Sequence, residues 1–253
     1  MNPNKVLTAS KKILAAVTVF FTLNSLETNA QSTNHIDNDN MVALLTRYEV
    51  KPEFQQVFRK AISDYVLRAN AMDDNIVSEG HYEQDNPSLL WMIERWSSKA
   101  AFEKFRNNKF SAIDSLSAIG LLQPATTIDV TDLEPLSKQQ WRTAQRKDDK
   151  PITIMLFVDS KPGTQTAFEN VYHAAMPAFR SEPGVINYQL SRFKTDSTRF
   201  VTYEKFRNEG AFQYHLNFPP IQPVIDYLNT SIKKQPFQDG IHTLIEFAPV
   251  VIK

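Results

Sequence analysis

The sequence predicts an α+β protein made of two copies of one small β-α-β-β-α-β unit, packed against each other within the chain. Three observations carry that reading. The first is an internal repeat. A shift of 110 positions lays Lys51 and Pro52 on Lys161 and Pro162, Phe58 on Phe168, Ile76 on Ile186, Glu94 on Glu204, and Ala101 and Phe102 on Ala211 and Phe212, with no gap. So long a period marks a duplicated domain, because solenoid repeats recur at roughly 20 to 50 residues. The second is the same order of strand and helix patterns in both copies. The third is that the strands are apolar at both alternating sets of positions, the mark of burial on two faces.

The elements follow in order. Met41 to Val50 and Ile152 to Asp159 are apolar, strand-like runs that end in a Lys-Pro turn signal. A helix comes next: Phe54, Val57, Phe58, Ala61, Ile62, Tyr65, Val66 and Ala69 step by three and four, which gives one buried stripe. Phe168, Val171, Tyr172, Ala175, Met176 and Phe179 repeat it, and Pro183-Gly184 marks its end. Two strands follow in each copy, Asn75 to Tyr82 with Leu89 to Trp96, and Val185 to Phe193 with Arg199 to Phe206. Their connectors are rich in turn formers, so each pair reads as a hairpin. A second helix is expected from N-caps at Ser97 and Asn208. In the second copy prolines at 219, 220 and 223 interrupt it before a further helical stretch. A last strand, Thr126 to Leu133 or Ile241 to Phe247, closes each unit. This order is that of the ferredoxin-like split unit. Helices cover one sheet face in such a unit, so the other faces are expected to meet and form a barrel-like core.

The expected domains are 41–135 and 151–253, joined by a charged linker at 136–150. Residues 1–30 have the three parts of a secretory signal. Lys5, Lys11 and Lys12 precede the apolar run Ile13 to Leu23, and Thr28-Asn29-Ala30 offers a cleavage site. The apolar run, about eleven residues, is short of the roughly 20 that span a bilayer. A cut after Ala30 leaves a polar leader at 31–40 and a periplasmic or secreted protein without a membrane anchor. Lysine plus arginine equals aspartate plus glutamate, 28 each, and the zero net charge argues against a nucleic-acid partner. The chain has no cysteine, which excludes disulfides and thiolate chemistry. With only six glycines, a Gly-rich nucleotide loop has no place.

The stretch from Phe200 to His215, with a proline before the first helix and Pro-Gly before the second strand, resembles the antibiotic biosynthesis monooxygenase (ABM) domain of the dimeric α/β-barrel superfamily. The shared pattern is an apolar strand, a glutamate, an aromatic residue, a polar turn, then Ala-Phe-x-x-His. The second copy matches at Glu204, Phe206, Ala211, Phe212 and His215. The first matches at Glu94, Trp96, Ala101 and Phe102 but has Phe105 in place of the histidine. The second histidine that many members carry is missing, and Pro220 stands near its place. The resemblance implies two ferredoxin-like units packed as an intrachain dimeric α/β barrel. It also implies chemistry without metal or flavin, so no cofactor is expected.

His215 is the expected catalytic residue. Imidazole titrates near working pH and suits a base for an acidic phenol at the barrel mouth, and the phenylalanine twin shows that the fold does not demand a histidine there. Glu94 and Glu204 occupy equal positions in both copies. They are expected to be structural carboxylates bonded to backbone N–H groups or an arginine at a helix N-terminus. Tyr203, Phe206, Trp91 and Trp96 are candidates to bind an aromatic substrate, although strand aromatics also serve as plain core. Arg192 and Arg199 are expected across one hairpin, where they could hold an anion. His35, His81, His173 and His242 lack the HxH or HExxH spacing of classical metal sites, so no metal is expected.

The expected function is an exported, cofactor-independent monooxygenase whose partner is a small aromatic or quinone-like molecule. Two alternatives remain open at this point: a non-catalytic apolar-ligand-binding or interaction protein, and a haem-binding or haem-degrading protein. On the signal reading, N-terminal sequencing of the exported protein will begin at Gln31. Recovery of an intact Met1 terminus from the cytoplasmic fraction would contradict it.

Overall fold

The computed structural model describes residues 40–107 and 112–249. The signal segment and nearly all of the leader lie outside the described residues. The first unit runs β1 (Val42–Glu49), α1 (Gln55–Asn70), β2 (Asn75–Glu83), β3 (Leu89–Trp96), α2 (Lys99–Asn107), α3 (Ala112–Gly120) and β4 (Thr126–Leu133). A short α4 (Lys138–Trp141) follows in the linker. The second unit runs β5 (Ile152–Asp159), α5 (Gln165–Ser181), β6 (Val185–Phe193), β7 (Arg199–Phe206), α6 (Glu209–Leu216), α7 (Gln222–Thr230) and β8 (Ile241–Ala248). Among the described residues, no helix is long and apolar enough to cross a membrane.

Each unit forms an antiparallel four-stranded sheet, β4-β1-β3-β2 and β8-β5-β7-β6, and the two sheets join into one closed barrel. Two antiparallel seams close it. At one, β4 pairs with β6, with Val130 opposite Phe193 and Asp132 opposite Ser191. At the other, β2 pairs with β8, with His81 opposite Glu246 and Glu83 opposite Leu244. Closure leaves no edge strand unpaired.

Apart from bulges in the pairings of β2, β6 and β8, the period of two then sorts the strands into two compartments. On β7, Phe200 and Phe206 pack under the helices of their unit, while Val201 and Tyr203 face the lumen. On β3, Leu90, Met92 and Trp96 pack under helices, while Trp91 and Ile93 face the lumen. Three cores result: one between helices and sheet in each unit, and a third inside the barrel that both units share.

Two local expectations change. The first-unit N-cap is Ser98, whose Oγ accepts from the Ala101 N–H at 3.1 Å, while Ser97 donates to the Asp74 carbonyl instead. The linker is also more than a charged tether. A capping box at Ser137 and Gln140 starts α4. The Arg142 guanidinium pins it by donating to the carbonyls of Ile76 (2.8 Å), Asn75 (2.9 Å) and Asn70 (3.0 Å). Trp141, 2% exposed, thereby plugs one end of the barrel, its ring 5.2 Å from that of Tyr203.

Either unit alone would expose two bare sheet edges and half of the lumen core. Residues 41–135 expressed alone will therefore dimerise or aggregate. A stable, soluble monomer in sedimentation velocity would contradict the intrachain barrel.

Candidate active site

His215 is placed by a helix whose start is fixed locally. Asn208 caps α6, its side chain accepting from the Ala211 N–H at 2.9 Å. Gly184 lets the helix approach the sheet: a Cβ there would lie 2.3 Å from that of Ala211. One turn on, His215 is held 1% exposed among Phe179, Phe206 and Tyr188, with ring centroids 4.9, 5.2 and 5.4 Å away.

Around it lies a network of acidic and phenolic groups. His215 Nδ1 is 2.7 Å from Glu182 Oε1, at the C-terminal cap of α5. Its Nε2 is 3.9 Å from Glu204 Oε2, beyond hydrogen-bond reach, so this nitrogen is left for another partner. Glu204 Oε1 accepts from the Tyr188 hydroxyl at 2.9 Å and from Thr202 at 2.7 Å. Burial pushes the Glu204 carboxyl up to about 7. Burial, and then the nearby Glu204 charge, push Glu182 to about 7 as well. Burial lowers His215 to about 4. At neutral pH the imidazole is therefore uncharged beside two carboxyls poised near half-ionisation, an arrangement suited to taking up and passing on a proton. His215, Glu204, Tyr172 and Tyr188 line a cavity of about 50 Å³, otherwise walled by apolar side chains of α6, α7 and the sheet.

The structure relocates several expected site residues. His215 is not at the barrel mouth but between the helices and the outer sheet face. Glu94 and Glu204 bond to side chains, not to backbone N–H groups or an arginine. Glu94 accepts from the Tyr65 hydroxyl at 2.9 Å and from Trp96 Nε1 at 3.2 Å. The four aromatic candidates do not come together. Phe206 packs on His215, and Trp96 is its counterpart in the first unit, against Phe105 at 5.0 Å. Tyr203 and Trp91 lie on the other sheet face, where Tyr203 donates to Glu79 and Trp91 donates to Glu83 at 2.9 Å. Arg192 and Arg199 do not converge either: one pairs with Glu169, the other with Asp159, both at 2.8 Å.

Sequence reasoning missed Glu182, Tyr188 and Tyr172. Tyr172 sits in the helical stripe and reads as core. The available signal was divergence between copies, since Ser78 and Ile62 stand where the second unit has Tyr188 and Tyr172. The first unit fills the same region with Phe105 and Tyr65, packed edge to face at 5.2 Å, where the second has His215 and Ala175. Sequence spacing also hid a cluster of metal-ligating side chains in the lumen: Glu79, His81 and Glu246 offer donor atoms within 4.8 Å of one another.

Comparison with known proteins agrees with the fold. A protein of Lactobacillus acidophilus NCFM described as a candidate monooxygenase superposes with a TM-score of 0.67 at 12% identity, covering 82% of this chain and 94% of that one. One of like description from Fusobacterium nucleatum gives 0.66 at 13% identity, covering 82% and 92%. An anthrone oxidase-like protein gives 0.54 at 12% identity, covering 83% and 92%. The protein sll1783 of Synechocystis sp., itself uncharacterised, is 28% identical over 88 residues, 35% of this chain and 55% of that one. The match thus spans about half the length of this relative. The sequence profile of the antibiotic biosynthesis monooxygenase family matches residues 41–110 and again 151–225. With both units matched over more than half of its length, the chain belongs to the antibiotic biosynthesis monooxygenase family.

Proposed function

We propose that the protein is an exported monooxygenase that oxidises a small phenolic or quinol-type aromatic molecule in the second unit. One observation carries this reading: His215, uncharged and bonded to Glu182, faces the raised carboxyl of Glu204 in a chamber that the first unit fills with Phe105. Family membership and the monooxygenase descriptions of the two solved neighbours support the reaction class, and the description of the third supports an aromatic substrate.

In the proposed reaction, His215 Nε2 takes the proton of the phenol, or of its keto tautomer, as its Nδ1 proton passes to the Glu182 carboxylate, the stronger base of the two. The electron-rich anion reduces O₂. One oxygen atom becomes a ring carbonyl in place of a CH₂, the other leaves as water, and the substrate supplies all the electrons. The chamber is small, so ring entry requires Leu216 and Ile221 to swing aside. Two alternatives stand beside this reading: haem binding, tested by a Soret shift on adding haemin, and apolar-ligand binding without turnover, tested by the oxygen-uptake experiment.

Oxygen uptake by the purified protein with a panel of quinols and anthrones tests the proposal. His215→Ala will lower turnover by about 10²-fold or more, and because the ring is buried and bonded to Glu182 it will also cost about 2–3 kcal/mol of stability. Phe105→Ala will leave turnover intact and destabilise by about 2 kcal/mol, less than the 3–5 kcal/mol of a fully buried phenylalanine, because Phe105 is half-buried. Unchanged turnover in a folded His215→Ala protein would overturn the assignment.

The raised Glu204 carboxyl has a separate consequence. A carboxyl that holds its proton more tightly when folded contributes stability that is full below about 4.5 and is lost as pH rises to about 7. Glu204→Gln removes this dependence. Relative to the parent, the variant will gain about 3 kcal/mol between pH 5 and pH 8, read from urea midpoints. A constant difference across that range would show that Glu204 is not perturbed.

A further inference from the structure

The lumen beside Trp141 holds two charged clusters at positions related by the internal repeat. Arg95 corresponds to Lys205, Ser191 to His81 and Gln189 to Glu79, all at the 110-residue offset. Asp132 corresponds to Glu246 by register, because Leu45 pairs with Ile128 and its counterpart Met155 pairs with His242. In the first cluster Arg95 donates twice to Asp132, at 3.1 Å each, and Ser191 donates to Asp132 at 2.6 Å. One positive charge meets one negative charge.

The second cluster is not balanced in this way. Lys205 Nζ lies 2.9 Å from Glu79 and 2.8 Å from Glu246, so two carboxylates surround one ammonium. His81 stands where the first cluster has a serine. It is wholly buried, its Nε2 is 3.8 Å from Glu79 Oε2, and neither ring nitrogen has a hydrogen-bond partner. A buried imidazole without partners is unfavourable unless something else fills its valence.

A buried imidazole with both ring nitrogens unpartnered has a lone pair free for a metal ion. The donor set is one nitrogen and two carboxylates, which suits zinc, ferrous iron, cobalt or manganese. The donor atoms lie within 4.8 Å of one another. Metal–ligand bonds of about 2.0–2.2 Å put tetrahedral donor atoms roughly 3.5 Å apart, so the widest pair must close by about 1 Å on binding. Lys205 marks where a positive charge is already stable. A cavity of about 270 Å³ opens on Glu79 and Lys205 beneath Trp141, Gln145 and Pro249. It reaches the Glu79 and Lys205 side of the cluster.

We propose that Glu79, His81 and Glu246 bind one divalent transition-metal ion inside the barrel, with Lys205 as the resident cation that the ion displaces. The site lies on the opposite sheet face from His215, since Glu204 and Lys205 are neighbours on β7 that point to opposite compartments. It stands independently of the proposed monooxygenase chemistry.

Cobalt(II) titration of the chelator-stripped, full-length protein tests this. Visible d–d bands are expected to saturate at one equivalent and to be abolished by added zinc. His81→Ala will remove them, and Glu246→Gln will weaken binding about tenfold or more. If His81→Ala fails to fold, by circular dichroism, Glu246→Gln decides. Lys205→Met is the discriminating variant. Removal of the competing ammonium will tighten cobalt binding about tenfold or more, whereas a purely structural cluster gains no affinity. Absent bands, bands that survive both ligand variants, or weaker binding by folded Lys205→Met would each overturn the site.

Discussion

Everything in this molecule depends on the two antiparallel seams that join β4 to β6 and β2 to β8. A four-stranded sheet with helices on one face leaves its other face and both edges open to water, and here that face is apolar. The second unit supplies both what covers the face and what pairs with the edges. Once the barrel is closed, charges inside it are largely withdrawn from water and interact more strongly than on the surface. The Arg95–Asp132 and Lys205–Glu79–Glu246 clusters exist on those terms. The first is a buried ion pair and the second a buried triad, and the charges of each must find their partners within the lumen.

The second organising feature is that one scaffold appears twice with different chemistry. Beneath the helices, Tyr65 and Phe105 fill the first unit, while Ala175 and His215 leave the second with a small chamber and a titratable ring. Glu94 and Glu204 persist in both, each bonded to phenol, indole or hydroxyl donors. A buried carboxyl is thus compatible with the frame in either setting, and it is the histidine that distinguishes them. In the lumen the divergence repeats: a serine and a glutamine of one cluster are a histidine and a glutamate in the other.

The alternation of a single strand serves both sites. Glu204 and Lys205 are consecutive, yet one belongs to the chamber under α6 and the other to the barrel interior. The two compartments are therefore insulated by the sheet itself, and their charges can be set separately. Trp141 completes the insulation at one end of the lumen, held there by the hydrogen bonds of Arg142 to the loop and strand before it.

The sequence by itself determined the duplication, the order of the strands and principal helices and the boundaries of most strands, because these rest on local periodicity and a constant offset of 110 residues; it did not determine α3 or α4. It also determined that the copies differ at Phe105 and His215. Tertiary structure decided which side chains share a compartment. Tyr203 and Phe206, three residues apart and both aromatic, lie on opposite sheet faces. Barrel register, not sequence spacing, brings Glu246 to Glu79 and His81. Glu182 meets His215 across 33 positions because a helix end and a helix face happen to abut. The role of Trp141 was hidden among the charged residues of the linker. Such pairings are fixed by the twist and closure of the sheet, which sum contributions from the whole chain, so no local window of sequence contains them.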